Sequence, residues 1–403
     1  MSFFKSIVLC LALGGLCGTA NAQNDKTKLE VSGYEFEELY NAPYSPVKNQ
    51  YRSGTCWAFA GIGFLESEIL RKGGDTIDLS EMHIVRNIYP EKARKYVQLH
   101  GKGNYSQGGG FSDVLYSWKK YGLVPENNYS GLSYGTQNHE HGELEEVSKD
   151  FVKGIVKNKN KKITPVWMDA FQGIMDSYFG EVPQSFEYKG KEYSPASFAA
   201  SLNINPDDYV EITSYSHHPF YSQFALEIPD NWLWSNYYNV PLEDLTEIMH
   251  YALKKGYAVG WDADVSEKGF SHSKGVAILP DSKKDDLSGT EKEKWEKLTA
   301  KEKKAALFAF NGPVDEKEIT QESRQEDFNN YLSKDDHLMV ITGLAKDQAG
   351  KFFYKVKNSW ATSNICKGFF YASTPFVQDK TISILVHKKA IPKKILKRLK
   401  IVF

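Results

Sequence analysis

One stretch constrains this chain more than any other: Pro46-Val47-Lys48-Asn49-Gln50-Tyr51-Arg52-Ser53-Gly54-Thr55-Cys56-Trp57-Ala58-Phe59-Ala60. Beyond Thr55, Phe59, Ile62, Leu65, Ile69 and Leu70 recur at three- and four-residue steps, the period of a helix with one apolar face. Gly73-Gly74 ends that helix. Cys56 therefore falls in the first turn, where unpaired backbone N–H groups and the helix dipole favour an anion. A thiolate is the nucleophilic form of cysteine, and such a position lowers a pKa that is about 8.5 in a free thiol. Gln50, on the loop entering the helix, can donate its amide to a developing oxyanion beside the Cys56 N–H. Gly54 lets a second main chain approach closely. The bland alternative is a small buried cysteine with an incidental glutamine upstream.

The far end of the chain argues against the bland alternative. Asp336-His337-Leu338-Met339-Val340-Ile341-Thr342-Gly343 reads as a strand led by a histidine, and Lys355-Val356-Lys357-Asn358-Ser359-Trp360 as a second strand ending in Asn-Ser-Trp. Asp347-Gln348-Ala349-Gly350 is a turn signal, so the two strands are expected to form a hairpin. Adjacent antiparallel strands can set His337 beside Asn358. A base needs reach to the thiol and a third group to hold its ring, and Asn can hold it by accepting from the imidazole N–H. Trp360 would shield that bond from water.

The string Gln50-x-x-x-Gly54-x-Cys56-Trp57-x-Phe59, followed far downstream by His337 and Asn358-Ser359-Trp360, resembles the papain-like cysteine peptidases, with Thr55 where the family usually has Ser. More narrowly the chain resembles the bleomycin hydrolase and bacterial aminopeptidase C branch. Ser106-Gln107-Gly108-Gly109-Gly110-Phe111, Phe179-Gly180-Glu181-Val182-Pro183, Ser214-Tyr215-Ser216-His217-His218-Pro219-Phe220-Tyr221 and Gly260-Trp261-Asp262-Ala263-Asp264-Val265 carry this over roughly residues 45–375. The resemblance implies an α+β, two-lobed fold: a helical left lobe led by Cys56, an antiparallel β right lobe carrying His337 and Asn358, and a large, mostly helical insertion over residues 128–250. It implies hydrolysis of peptides through Cys56, His337, Asn358 and Gln50, most simply as an aminopeptidase. Gly108 and Gly109 would lie beside the substrate backbone, with Trp57 and Trp360 at the cleft. In that branch the terminal carboxylate, here of Phe403, pairs with the substrate's free amine, and the protein forms a homo-hexameric ring. An endopeptidase with an open cleft, and a peptide-binding protein that has lost turnover, remain the alternatives.

Residues 1–22 read as a signal peptide: Lys5, an apolar run from Ile7 to Leu16, then Ala20-Asn21-Ala22. The expectation is an exported protein, periplasmic or extracellular, with residues 23–403 as one peptidase domain. Only Cys56 and Cys366 then remain, and a bond between them would abolish the nucleophile. With 50 Lys and Arg against 51 Asp and Glu, nucleic-acid binding is disfavoured. No phosphate-binding or dinucleotide loop stands out and no zinc-like spacing appears, so neither cofactor nor metal is expected. His217 and His218 are neighbours that would face apart on a strand or helix. Residues 281–304 are highly charged, with capping-box spacings at Thr290–Glu293 and Thr299–Glu302, and read as solvated helices. The basic tail, 388–403, places Ile391, Ile395, Leu399 and Val402 on one helical stripe. That stripe suits either a helix on an anionic membrane surface or a docked terminal helix.

Overall fold

The computed structural model describes residues 29–160, 162–281 and 296–402. The expected signal peptide, the Thr290–Glu293 spacing and Phe403 lie outside the described residues.

The helix expected after Thr55 is α1 (Cys56–Arg71), and the Gly74 N–H closes it by donating to the Ile69 carbonyl at 2.9 Å. Every residue from Cys56 to Ile69 is buried, so α1 is a central helix with no solvent face. It packs against α2 (Glu81–Gln98) and α3 (Phe111–Tyr121), and α4 (Gly142–Val156) and α5 (Trp167–Phe179) pack on α2 in turn. Trp57, Phe64, Ile84, Phe111, Phe171 and Phe179 share one core there. The short α6 (Pro195–Ser201) starts at a capping box between Ser194 and Ser197.

The other lobe is a sheet. In chain order the strands are β1 (Leu29–Val31), β2 (Tyr34–Asn41), β3 (Phe186–Tyr188), β4 (Lys191–Tyr193), β5 (Tyr209–Thr213), β6 (Gln223–Ala225), β7 (Asn236–Asn239), β8 (Val259–Ala263), β9 (Phe270–Ser271), β10 (Val276–Ala277), β11 (His337–Lys346), β12 (Phe352–Lys357), β13 (Phe369–Ser373) and β14 (Thr381–His387). The large sheet runs β6-β7-β5-β14-β8-β11-β12-β13-β10-β9, with β2 pairing β11 and β1 pairing β2, while β3 and β4 form a separate hairpin. β11 and β12 are the expected antiparallel hairpin, with Val340 opposite Lys357 and Leu344 opposite Tyr354. Alternate β11 side chains go to opposite faces. Leu338 and Val340 join the core of α1, whereas Met339 and Ile341 join that of α7 (Leu242–Lys254). The sheet therefore has α1 on one face and α7 on the other.

Two expectations need qualification. Residues 128–250 hold α4, α5, α6 and the start of α7, but strands lie among the helices. From Tyr209 to Asn239 they supply three strands, and β5 joins β14 with Ile212 opposite Ile384. The prolines read as breaks between helices bound strands equally well. The basic tail takes the docked form, one of the two expected. Its helix, Lys393–Leu399, buries Ile395 and Leu399 in the core that also holds Leu242, Leu245 and Met249 of α7. Lys394 pairs with Glu247 at 2.6 Å, and the Arg398 guanidinium lies 3.6 Å from the centre of the Tyr221 ring. Ile391, Ile395 and Leu399 of the stripe are thus covered by the protein itself, while Val402 stays exposed. The charged excursion keeps a helix, Ala300–Leu307, opened by Thr299, whose N–H donates to Glu302 at 2.8 Å.

Docking of the terminal helix has a direct consequence. Ile395→Ala should destabilise the protein by about 2–5 kcal/mol, as for other buried aliphatic truncations. Val402→Ser, at an 81% exposed position, should stay within about 0.5 kcal/mol. Urea denaturation measures both, and a similarly small effect for the two would mean that the helix does not contribute to the core.

Candidate active site

Cys56 is buried, and the Leu338 N–H of β11 lies against its thiol. The helix start was expected to lower its pKa. Burial instead pushes the thiol up to about 12, and the charges of Asp335, Asp230 and Asp262 add to that against the Leu338 N–H. In a site this dry, loss of hydration outweighs the dipole of the first turn.

His337 opens β11 on the same stretch of strand. Its Nε2 lies 2.7 Å from Asn358 Oδ1, and since an amide oxygen only accepts, Nε2 carries the proton. Nδ1 is left as the acceptor. Trp360 stacks on the imidazole, with ring centres 4.6 Å apart and planes at 30°. His272, which nothing in its sequence surroundings marks, faces Asn358 Nδ2 through Nδ1 at 3.3 Å and meets Trp360 edge-on. Burial depresses the His337 pKa to about 4; the Asn358 hydrogen bond works against this and the His272 charge with it.

Gln50 is held from both ends. Its Nε2 donates to the Ser53 carbonyl at 2.8 Å, and its Oε1 accepts from the Ser359 hydroxyl at 2.6 Å. Its backbone N–H donates to the Ser359 carbonyl at 2.8 Å. Ser359 was part of the Asn-Ser-Trp motif, but its task was not read from sequence: it fixes which end of the Gln50 amide is the donor. The loop is anchored below by Lys48, whose ammonium lies 3.0 Å from Glu66 of α1 and 2.6 Å from Glu81 of α2.

The glycine loop closes over Trp57. The Trp57 indole N–H donates to the Gln107 carbonyl at 2.9 Å, and Gln107 Oε1 accepts from the Gly54 N–H at 2.6 Å. A Cβ on Gly109 would collide with Asp113 and Trp57, and one on Gly108 with the Asp230 carboxylate. The buried Asp113 and Trp57 thus already require Gly109, independently of any substrate, and Gly108 leaves room for the Asp230 carboxylate. Cys56, His337, Asn358, Gln50, Trp57, Trp360, Gly108 and Gly109 lie in one continuous neighbourhood. Cys56 and Cys366 are both free thiols.

The two adjacent histidines do not behave as expected. His217 and His218 lie in a turn, so both rings reach Glu227, at 3.0 and 2.7 Å. The argument that neighbours face apart holds for strands and helices and fails here.

The papain family cysteine protease model matches residues 36–194, and that of the Peptidase C1-like family matches residues 303–401. The first range contains Gln50 and Cys56, the second His337 and Asn358. The chain is a papain-like cysteine peptidase. It is 23% identical to Aminopeptidase E of Lactobacillus helveticus, over 92% of this chain and 86% of that protein. It is 20% identical to Aminopeptidase C of Streptococcus thermophilus, over 85% and 80%. It is 22% identical to mitochondrial Cysteine proteinase 1 of Saccharomyces cerevisiae, over 92% and 80%. The crystal structure of pepw from Lactobacillus rhamnosis superposes with a TM-score of 0.67 at 19% identity, over 90% of this chain and 84% of that one, which shows the fold.

The His337 ring should titrate near pH 4 and not near 6.5. Between these values an unfolded histidine binds a proton and the folded one does not, so this group's contribution to stability falls as pH drops through the window. Imidazole NMR chemical shifts followed against pH report the midpoint. A midpoint near 6.5 would mean that the ring is hydrated.

Proposed function

We propose that this peptidase is an aminopeptidase in which Cys56 is the nucleophile, His337 the base and Asn358 the group that orients it, with Gln50 and the Cys56 N–H as oxyanion donors. The observation that carries this reading is the 2.7 Å His337–Asn358 bond at the start of the strand whose next N–H meets the Cys56 thiol. Burial penalises the thiolate and the imidazolium separately. Moving the proton from sulfur to Nδ1 creates both charges together, each partly offsetting the other's desolvation cost. As the sulfur attacks the peptide carbonyl, Nδ1 takes the thiol proton. The oxyanion is met by the second hydrogen of Gln50 Nε2 and by the Cys56 N–H. His337 then protonates the departing amine. It next takes a proton from the water that cleaves the thioester, and returns that proton to the sulfur.

The aminopeptidase assignment draws on relatives named Aminopeptidase E, C and G, all aligned over most of their length. One observation favours the endopeptidase alternative. Ile401 still packs into the core on the α7 face, and its N–H bonds back to the Leu396 carbonyl at 3.1 Å. Up to Ile401, then, the tail lies against the α7 face of the sheet and not against the α1 face that carries Cys56. Export after cleavage near Ala22 is proposed on the sequence pattern alone; intact-mass measurement of the native protein retaining Met1 would overturn it.

Cys56→Ala should abolish turnover in a folded protein. Gln50→Ala should lower kcat by about 10²–10³, the effect of losing one oxyanion donor, while alkylation of Cys56 by iodoacetamide, which forms no oxyanion, continues. Steady-state kinetics and alkylation rates together decide. Equal losses in both would show that Gln50 only holds the loop.

A further inference from the structure

His217, His218 and Glu227 are the one trio of His, Cys, Asp or Glu among the described residues whose donor atoms all lie within 4.8 Å of one another. Local structure builds the trio. The turn after β5 is pinned by the buried Asn239, whose Nδ2 donates to the carbonyls of Tyr215 and His218 at 2.8 and 3.0 Å. Aromatic rings then fix both imidazoles. His218 stacks on Phe224 with ring centres 4.0 Å apart, and His217 lies parallel to Phe328 and edge-on to Phe224. Glu227 comes from the segment after β6 and meets both, with Oε2 3.0 Å from His217 Nε2 and Oε1 2.7 Å from His218 Nε2. The sequence expectation of no metal rested on the two rings facing apart, and the turn removes that ground.

Hydrogen bonds alone do not satisfy the trio. Gln325 Oε1, on the helix Gln321–Asn329, accepts from the Ser216 N–H at 2.6 Å and from the His217 N–H at 3.3 Å. Backbone N–H groups only donate, so this end of the amide is its oxygen. His217 Nδ1, 3.3 Å from the same oxygen, therefore carries a hydrogen. In a neutral imidazole the other nitrogen then presents a lone pair. That nitrogen, Nε2, faces a carboxylate oxygen, which is also an acceptor. His218 Nε2 can give a hydrogen to Glu227, but His217 Nε2 has none to give while its ring is neutral. Two acceptors so close need a cation between them, either a proton or a metal ion.

We propose that His217, His218 and Glu227 bind one divalent transition-metal ion of the zinc class, with its fourth position open to solvent. His217 and Glu227 are exposed, so the ion can enter and leave. Imidazole nitrogen suits such ions, whereas calcium and magnesium ask for oxygen donors. Bonds of about 2.0–2.1 Å set neighbouring ligand atoms about 3.3 Å apart in a tetrahedron, a small opening of the separations here. Gln325 supplies the outer acceptor that a metal-bound imidazole uses on its other nitrogen. The ion joins the turn after β5 to the segment after β6. Three residues beyond Glu227, Asp230 packs over Gly108, so the ion anchors the loop that borders the glycine pair.

The test uses the full-length protein with Cys56→Ala, so that the catalytic thiol takes no metal, stripped with EDTA and dialysed. Zinc chloride is titrated in by calorimetry at about pH 7.5, since metal must displace any proton from its ligands, and Tm is measured with and without zinc. The expected result is one zinc per chain and a Tm that rises with zinc. Glu227→Gln, and His218→Phe, which keeps a ring on Phe224, should each weaken binding at least about tenfold and abolish the rise in Tm. Equal uptake in both variants would place the ion elsewhere, as at the Cys366 thiol, and overturn the proposal. No uptake before these substitutions would also overturn it, and would mean that a proton alone bridges His217 and Glu227. Should one variant fail to fold, the other decides alone.

Discussion

Three consecutive residues at the end of β12 hold the two halves of the site in register. Asn358 carries the His337 ring, Ser359 holds the backbone N–H and the side-chain oxygen of Gln50, and Trp360 covers the imidazole while its backbone pairs with Asn49. The base lies on the sheet and the oxyanion donor on the loop leading into α1, so a shift between lobes would separate them. One short corner bonded to both removes that freedom. Side chains fixed through other fixed groups keep a reacting geometry to within a fraction of an ångström, which is what general base and oxyanion chemistry require.

The same junction explains why so much charge is buried. α1 carries Glu66 and Glu68 with no exposed surface, and Lys48, Ser45 and Lys357 converge under Glu66. Such a network is weak evidence for stability, because each ion loses hydration. Its effect is positional: Lys48 cannot leave Glu66 and Glu81 without exposing uncompensated charge, so the segment leading to Gln50 stays in place. The dryness that makes this network rigid also reaches Cys56 and His337. It holds both in their neutral forms and makes a concerted proton transfer the less costly route to a nucleophile.

What the sequence made legible was local. Gln50, Gly54, Cys56 and the helix period lie within one stretch, and His337 and Asn358 within one hairpin, so chain order and strand alternation sufficed to place them. The roles of Ser359 and His272 were not legible, because each depends on a partner far away in the chain. The strands between Tyr209 and Asn239 were missed for a related reason. β5 pairs with β14, some 170 residues later, and short strands between prolines carry little period of their own. The lowered thiol pKa failed because a helix dipole can be read from sequence and burial cannot.

The terminal helix Lys393–Leu399 spends Ile395 and Leu399 on the α7 face of the sheet, opposite α1. The charged groups nearest Cys56 come from segments that the catalytic geometry already needs. Asp262 comes with a strand that must lie beside β11, Asp335 with the residues that introduce His337, and Asp230 with a loop that packs over Gly108. Together with burial they oppose a thiolate at rest. Negative charge on sulfur is therefore favoured only when the proton it gives up stays beside it on the imidazole.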